Sequence, residues 1–400
     1  MPTLLHSLWR YALLLVAAAP LAYYAAATFA ATRFFRRARV RQLTAFTPPV
    51  SVLKPLRGVD FASYENFASF CLQDYPDFEL LFAVNDSADP AVELVHRLMA
   101  EFPQRQIRLF IGAQPVGANR KVNKLCRLAR AARHEILVVS DGDVRVGPRY
   151  LREVAAPFAD PQTGVVTCFY RGIAQENLFA VIEAIGASSD FFAGVLMAQW
   201  LEGMSFALGA TMATTKAWLS KIGGFEGLAA THSDDYELGH RVALQGGRIV
   251  LSRESVWTMY PAQSARGFWE HQVRWARTVR LCRPLSFAGL LFTHGLPWAL
   301  LAALLVPGKA LAAAWLAAYL LLRLLQAWVV GVWGVGDDVL RRKFWLVPFR
   351  DALYFAVWLA SFASNRITWG GTEFAMQKGQ MIAVEEDNPA AAALSTRPRS

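Results

Sequence analysis

The chain has 400 residues, of which 54% are hydrophobic and 18% are charged. Globular domains are usually about 45–50% apolar and about 25% charged, so this composition excludes a disordered chain, a collagen-like fibre and a small disulfide scaffold. The 41 basic and 31 acidic residues give a net charge of +10, but so apolar a chain rarely carries a basic face for nucleic acid. We therefore expect phosphate-bearing ligands or an anionic membrane surface as partners, and no nucleic acid.

The N-terminal region has the pattern of a membrane anchor. Between Arg10 and Arg33 lie 22 uncharged residues, which as a helix just cross a hydrocarbon core of about 30 Å. A cleaved signal peptide is the alternative, because residues 28–31 resemble a small-residue cleavage site, but the apolar run is longer than a usual signal core. Basic residues stay cytoplasmic, so the arginines after the run predict an uncleaved anchor with its N-terminus outside. These arginines are Arg33, Arg36, Arg37, Arg39 and Arg41.

A second apolar block begins after Arg283. The runs 284–308 and 310–336 predict two membrane helices that form a hairpin. Arg323 lies within the second run, where it either snorkels to the interface or pairs inside the bundle, and we assign it no role.

Two further apolar stretches are less clear. Residues 344–365 contain Arg350 and Asp351, and we expect this run either to span the membrane or to re-enter it. Residues 177–201 are interrupted by two carboxylates and by small side chains, which favours a buried or membrane-surface helix over a span.

Between Pro48 and about Thr278, strand and helix patterns alternate. Such alternation predicts a mostly parallel sheet between helices, with ligands at the carboxyl ends of the strands. The predicted strands are 50–53, 79–84, 106–111 and 135–140, and the predicted helices between them are 61–72, 90–102 and 119–133.

Acidic residues lie where that rule places a ligand. Asp86 follows one predicted strand, and the Asp141-Gly142-Asp143 segment follows another. Two carboxylates separated by one residue can share Mg²⁺ or Mn²⁺, whose shell is completed by water and substrate phosphates. A hairpin turn is the alternative, because Asp-Gly is a common turn dipeptide. The position at the end of a predicted buried strand favours the metal site.

Two other segments carry candidate chemistry. Asp234 and Asp235 begin a predicted helix, where acidic side chains stabilise the first turn or one of them acts as a general base. Residues 267–280 predict an amphipathic interfacial helix, in which Arg274 and Trp275 can also contact a diphosphate and a lipid acceptor. The sequence has no dinucleotide-binding GxGxxG pattern and no Walker loop.

In this order the motifs resemble those of membrane glycosyltransferases. They are Lys54-Pro-Leu-Arg-Gly58, Asn85-Asp86, Asp141, Asp235 and Arg274-Trp275. From the anchor to residues 366–374 the chain resembles the ceramide glucosyltransferase family, and most of all the bacterial hopanoid-biosynthesis glycosyltransferases. The resemblance implies an α/β fold of the GT-A type with a mostly parallel sheet, N- and C-terminal transmembrane helices, and an inverting transfer from a UDP-sugar.

The resemblance also implies a donor site. Lys54, Asp86 and Lys121 would contact the nucleotide, with Asp86 near the uracil. Asp141 and Asp143 would hold Mg²⁺ or Mn²⁺ together with the diphosphate.

On the acceptor side, the resemblance implies that Asp235 is the catalytic base and that Arg274 and Trp275 close over the diphosphate. The family motif has Gln or Arg where this chain has His271, so the motif here is HxxRW. Histidine still donates a hydrogen bond, but its charge depends on pH.

The expected organisation has five segments. They are an anchor with a basic juxtamembrane segment (1–47), a GT-A domain (48–264), an interfacial helix with HxxRW (265–283), a transmembrane region (284–365) and a C-terminal segment with a disordered tail (366–400).

We expect an inner-membrane enzyme with its catalytic domain in the cytoplasm, which moves one sugar from a UDP-sugar to a membrane-lipid hydroxyl. N-acetylglucosamine passed to a bacteriohopane polyol is the favoured reaction, and transfer of glucose to ceramide is the alternative. A processive polysaccharide synthase and a non-catalytic nucleotide-sugar sensor are the remaining hypotheses. The side of the membrane on which the C-terminus lies stays open, because a re-entrant last run would place Trp369 near the active site.

Overall fold

A computed structural model gives the fold, and it describes residues 2–38, 46–112, 115–369, 372–377 and 380–383. Arg39 and Arg41 of the basic cluster and the tail after residue 383 lie outside the described residues. The chain begins with two nearly continuous helices, α1 (Pro2–Ala17) and α2 (Ala19–Ala38).

An eight-stranded sheet forms the centre of the α/β domain. Its order is β3-β2-β1-β4-β7-β6-β8-β5, and four of its seven strand pairs are parallel. The predicted mostly parallel α/β sheet is therefore confirmed, and each predicted strand is found within two residues of its expected bounds. The strands are β1 (Val50–Pro55), β2 (Phe78–Val84), β3 (Gln106–Ile111), β4 (Ile136–Val139), β5 (Val144–Arg145), β6 (Thr163–Ala174), β7 (Met212–Thr215) and β8 (Arg248–Tyr260).

Helices cover both faces of this sheet. Side chains alternate across the sheet along a strand, so Val52 of β1 lies in one apolar core and Leu53 lies in the other. Burying each such side chain contributes about 1.5–3 kcal/mol to stability. The helices of this part are α3 (Ser63–Cys71), α4 (Ala91–Glu101), α5 (Arg120–Ala131), α6 (Tyr150–Ala155), α7 (Leu178–Gly186), α8 (Phe192–Leu201), α9 (Lys216–Lys221), α10 (Asp234–Leu244) and α11 (Ala265–Cys282).

Five helices follow in the C-terminal apolar block: α12 (Pro284–Gly289), α13 (Gly295–Leu305), α14 (Lys309–Ala327), α15 (Asp338–Arg342) and α16 (Val347–Ser361). Within the described residues, three helical stretches are long and apolar enough to cross a membrane: Leu8–Arg36, Leu178–Leu201 and Lys309–Val335. The pair Pro284–Thr293 and Gly295–Leu305 makes a fourth if it is one span bent by 46°.

Two of these results concern the two apolar stretches for which more than one placement was expected. The stretch Leu178–Leu201 has 72% of its apolar window buried inside the protein, as expected for a buried helix. Helix α16 has 15 residues, about 22 Å of helix, which is shorter than a hydrocarbon core of about 30 Å. The third apolar run therefore contains no helix long enough to span.

The segment after α16 returns to the α/β domain. It forms an antiparallel sheet of β9 (Arg366–Trp369), β10 (Thr372–Gln377) and β11 (Gln380–Ala383). Arg277 Nη1 of α11 donates to the carbonyl oxygen of Arg366 at 3.0 Å, and Phe374 lines a cavity beside β1 and β4. The re-entry of the last apolar run into the membrane stays a prediction.

Candidate active site

The Asp141-Gly142-Asp143 segment connects two strands that are not neighbours in the sheet. Strand β4 pairs with β1 and β7, whereas β5 pairs with β8 at the edge. The segment is therefore not a hairpin turn, and that alternative is wrong. The backbone N–H of Met259 donates to the carbonyl oxygen of Asp143 at 3.1 Å and fixes the crossing.

A cavity of about 400 Å³, here called the polar cavity, opens at the carboxyl ends of β1 and β4. Its wall combines basic and acidic side chains with the backbone that follows β1. The charged lining residues are Arg57, Asp60, Arg120, Lys121, Lys124, Asp141 and Asp143. The cavity therefore lies where an α/β sheet of this kind binds its ligand.

Lys54 supports this cavity without lining it. Its side chain is fully buried, and Nζ donates to the carbonyl oxygen of Asp141 at 2.6 Å and lies 4.1 Å from the ring centre of Phe70. Burial lowers the pKa of Lys54 to about 7, although Asp143 and Asp141 oppose the shift. The predicted nucleotide contact of Lys54 stays a prediction, and its visible contact is with the Asp141 backbone.

Lys121 connects the two halves of the site. Its Nζ lies 2.8 Å from Asp141 Oδ1 and 3.1 Å from Asp234 Oδ2. Burial alone would lower the pKa of Lys121, but these carboxylates raise it above its usual value. The start of α5 positions this lysine, because Asn119 accepts from the backbone N–H groups of residues 121 and 122 and donates to the carbonyl oxygen of Thr231 at 3.0 Å.

The carboxylates of Asp141 and Asp143 fit a divalent cation. Burial and repulsion from Asp141 raise the pKa of Asp143 to about 7, against the opposing effect of Lys54. In the described part of the chain, no group of three or more His, Cys, Asp or Glu side chains is placed to hold a metal. Mg²⁺ is commonly bound by one or two carboxylates plus substrate phosphates and water, so this pair suits a metal held jointly with the substrate.

Asp235 lies at the start of α10, where its Oδ1 accepts the backbone N–H of Tyr236 at 2.8 Å. Burial and the neighbouring Asp234 raise the pKa of Asp235 to about 6, against the opposing effect of Lys121. A carboxylate with such a pKa is ionised at neutral pH and is a better proton acceptor than an ordinary aspartate.

A second cavity of about 380 Å³, here called the apolar cavity, lies between the α/β domain and the apolar helices. Asp235 and Trp275 line it on the side of the α/β domain. Its other walls come from α2, α8, the bend between α12 and α13, α14 and α16. Lining residues from these elements include Tyr23, Tyr24, Phe287, Leu290, Leu296, Tyr354 and Val357.

The three named residues of the HxxRW motif lie in different surroundings. Trp275 lines the apolar cavity, whereas Arg274 lines neither cavity. Burial lowers the pKa of Arg274, and Glu183 opposes this. His271 Nδ1 lies 2.6 Å from Glu183 Oε1, so the residue that departs from the family pattern binds a buried carboxylate.

Asp86 is not brought to the site. It is exposed on the turn after β2, where its Oδ1 accepts the backbone N–H of Ala88 at 3.0 Å, and it lines neither cavity. Asp60 and Phe374 line the polar cavity instead, and the motif pattern did not single them out. Phe374 ends the segment 366–374 that carried the resemblance, which is the one sequence signal that pointed to it.

The apolar cavity also has a charged inner end that the sequence interpretation left without a role. Arg323 is 1% exposed and contacts Asp351 at 2.8 Å, and it hydrogen-bonds to Asp190. Arg323 therefore pairs within the bundle. Arg350 and Asp190 also line this end of the cavity. The sequence signal for these residues was the presence of charged side chains within apolar runs, which marks them as functional candidates by default.

Residues 12–382 match the family model described as Glycosyl transferase family 21, and the chain belongs to this family. The family together with the sheet topology confirms the expected glycosyltransferase fold of the GT-A type.

The curated relatives include ceramide glucosyltransferases 3 and 1 of Caenorhabditis elegans. The first is 28% identical over 247 residues, which cover 58% of this chain and 50% of the relative. The second is 26% identical over 235 residues, covering 58% and 49%. The chain thus spans about half the length of the curated relatives it matches. Among solved structures, the mannosyltransferase PcManGT of Pyrobaculum calidifontis, in complex with GDP-Man and Mn²⁺, aligns with 87% of this chain and 97% of its own, at 19% identity and a TM-score of 0.49.

Proposed function

We propose that this protein transfers a single sugar from a UDP-sugar to a hydroxyl group of a membrane lipid, with inversion at the anomeric carbon. The observation that carries the proposal is the meeting of two unlike cavities at one pair of carboxylates. Lys121 lines the polar cavity and contacts Asp234, and the next residue, Asp235, lines the apolar cavity. A charged donor and a lipid acceptor can therefore reach the same point from opposite sides.

The polar cavity suits the diphosphate of the donor. Lys121 and Lys124 place ammonium groups in its wall, and Lys124 Nζ donates to the carbonyl oxygen of Leu56 at 2.6 Å. Asp141 and Asp143 would hold Mg²⁺ or Mn²⁺, which when bound offsets negative charge on the departing nucleotide. A divalent cation is consistent with the Mn²⁺ named for the mannosyltransferase structure.

Asp235 is the proposed base. Its carboxylate takes the proton of the lipid hydroxyl as the oxygen attacks the anomeric carbon from the face opposite the diphosphate. A bond forms between that oxygen and the anomeric carbon, and the bond from this carbon to the diphosphate oxygen breaks. UDP leaves with the bonding electrons, and Lys121 stabilises its charge. One displacement inverts the configuration.

The apolar cavity supports a lipid acceptor. It has mostly apolar walls, and part of its wall comes from α2 and α13, whose outward side chains include the exposed Phe29, Leu300 and Leu304. Such exposed apolar side chains suit contact with lipid tails. An inner-membrane location with the catalytic domain in the cytoplasm follows if the arginines after the anchor mark the cytoplasmic side.

For the specific reaction we propose transfer of N-acetylglucosamine from UDP-N-acetylglucosamine to a bacteriohopane polyol. Transfer of glucose to ceramide is the second candidate, because the curated relatives are named ceramide glucosyltransferases. Both candidates need the same two cavities, and they differ in the shape of the acceptor.

Incubation of the purified full-length protein with each UDP-sugar and each lipid, read by mass spectrometry, tests the proposal. We expect one added sugar on the bacteriohopane polyol. Turnover of ceramide alone would overturn the hopanoid assignment, and a ladder of products would identify a processive synthase. The lipids lost when the gene is deleted provide an independent check in cells.

A further inference from the structure

We infer that the inner end of the apolar cavity, formed by Arg350 and Asp190, binds a second neutral polar group of the acceptor lipid, a hydroxyl or an amide. The inference rests on the proposed function, because it treats this cavity as the acceptor site. It adds a specificity subsite apart from the hydroxyl that receives the sugar.

The main evidence for this subsite is the set of contacts around Arg350. It is 4% exposed, lines the cavity and donates through Nη2 to Gln272 Oε1 at 3.0 Å. Its Nε and Nη1 atoms are buried and have no hydrogen-bond partner among the described residues. Nε lies 3.5 Å from Asp190 Oδ2, close enough for ionic attraction but without a hydrogen bond. Buried polar atoms of this kind normally have partners, so a ligand with an acceptor oxygen fits here.

The neighbouring Asp190 supplies a hydrogen-bond acceptor beside the donors of Arg350. Asp190 Oδ2 is also buried without a partner in the described part of the chain, while its Oδ1 binds Arg323. A hydroxyl group donates one hydrogen bond and accepts others, so it can accept from Arg350 and donate to Asp190 at once. An amide has the same two functions.

The charge balance selects a neutral ligand. Arg323 and Arg350 bring two positive charges to this end of the cavity, and Asp190 and Asp351 bring two negative charges. An anionic headgroup would add an uncompensated charge in a largely apolar wall, which is costly. A phosphate group therefore does not fit, and a hydroxyl or amide does.

Two variants change this subsite in different ways. Arg350→Gln removes the guanidinium. Gly186→Ala keeps it but occupies its place, because a Cβ at residue 186 would lie 2.5 Å from Arg350 Nη2. Gly186 is the last residue of α7, where the helical backbone accepts alanine, so the change acts on the position of the guanidinium. Gly289→Ala is the matched control, because its Cβ would meet nothing within 4 Å.

The test compares acceptors that share an apolar body but differ in polar groups: a bacteriohopane polyol against a monohydroxy bacteriohopane, and ceramide against a branched primary alcohol with two hydrocarbon chains of matched length. Loss of a hydrogen bond to a charged group costs about tenfold to a hundredfold in affinity. We expect Arg350→Gln and Gly186→Ala to raise KM for the acceptor with several polar groups by at least about tenfold. KM for the UDP-sugar and kcat/KM for the monohydroxy lipid stay unchanged, as do all values for Gly289→Ala.

Equal increases in KM for both kinds of acceptor, or no increase, would overturn the proposed subsite. Arg350 and Asp190 would then contact only water or stabilise the fold. Retention of the same lipids by the Asp235→Asn protein, measured by native mass spectrometry, reads the subsite without any transfer. Lipid selectivity that depends on Arg350 would then stand even if no sugar acceptor were found, whereas absence of transfer to every lipid would count against the proposed function alone.

Discussion

The ammonium group of Lys121 lies 3.1 Å from the carboxylate of Asp234, the residue that precedes the proposed base. The same ammonium lies 2.8 Å from Asp141 in the polar cavity. One side chain therefore joins the proposed donor site to the proposed base. Any ligand that draws Lys121 towards a diphosphate also changes the charge beside Asp235, which ties proton acceptance to donor binding.

The proposed base can be tested by Asp235→Asn. The amide keeps the shape of the side chain but cannot take up the hydroxyl proton, so kcat should fall by about 10²- to 10⁴-fold. Binding of the UDP-sugar, measured by calorimetry, should be preserved, because Asp235 lines the apolar cavity and not the polar one.

Asp234→Asn is the matched control for this change. It removes a carboxylate that contacts Lys121, so we expect weaker donor binding and a smaller fall in kcat than for Asp235→Asn. Full function of the Asp235→Asn protein would instead support the non-catalytic sensor.

The pH dependence of kcat/KM should show an acid limb near pH 6. Burial and Asp234 raise the pKa of Asp235 to about 6, so below this pH the carboxyl is protonated and cannot act as a base. Activity therefore falls as the pH falls through this value. Asp234→Asn removes the like charge and should move the limb to lower pH; a shift to higher pH would contradict the assignment.

Metal dependence provides a third prediction. EDTA should abolish transfer by the wild-type protein, and added Mg²⁺ or Mn²⁺ should restore it, because Asp141 and Asp143 form the carboxylate pair suited to such a cation. Asp141→Asn and Asp143→Asn should each weaken UDP binding and reduce the response to added metal. Wild-type activity that is insensitive to EDTA would rule out this role.

The ion pairs around Arg323 predict a large effect on stability. Arg323→Met leaves the buried Asp351 without its cation and Asp190 with Arg350 alone, and loss of a buried ion-pair partner costs about 3–5 kcal/mol. The thermal unfolding midpoint in detergent should fall accordingly. Arg341→Met breaks a pair with Asp338 whose side chains are 56% and 65% exposed, and should cost about 1 kcal/mol or less. Similar midpoints for both variants would show that the buried pairs contribute little.

Local patterns predicted β1, β2 and β4 because these strands are short and buried on both faces. In β1, for example, Val52 and Leu53 point into two different apolar cores. The sequence could not give the position of β5, because its pairing with β8 joins residues more than 100 positions apart. Helix α16 was ambiguous because its charges, Arg350 and Asp351, are stabilised only by contacts from distant elements.

The strand-end rule and the order of the motifs together located most of the candidate site. Asp141, Asp143 and Lys121 line one cavity, and Asp235 lines the other. Asp86 also follows a predicted strand, but the turn after β2 leaves it exposed and outside both cavities, so its contact with the nucleotide stays a prediction.

The subsite at Arg350 required tertiary structure. Its guanidinium meets Gly186 and Asp190 only when α7 and α16 pack together. The spacing of these residues along the chain gives no sign of that contact.

Phe374 closes part of the polar cavity, yet it lies beyond every apolar helix of the chain. A ribosome makes this residue after the apolar helices, so an unfinished chain that ends before Phe374 holds all its acidic site residues but lacks one wall of the polar cavity. The proposed donor site is therefore completed only after the C-terminal segment has been synthesised.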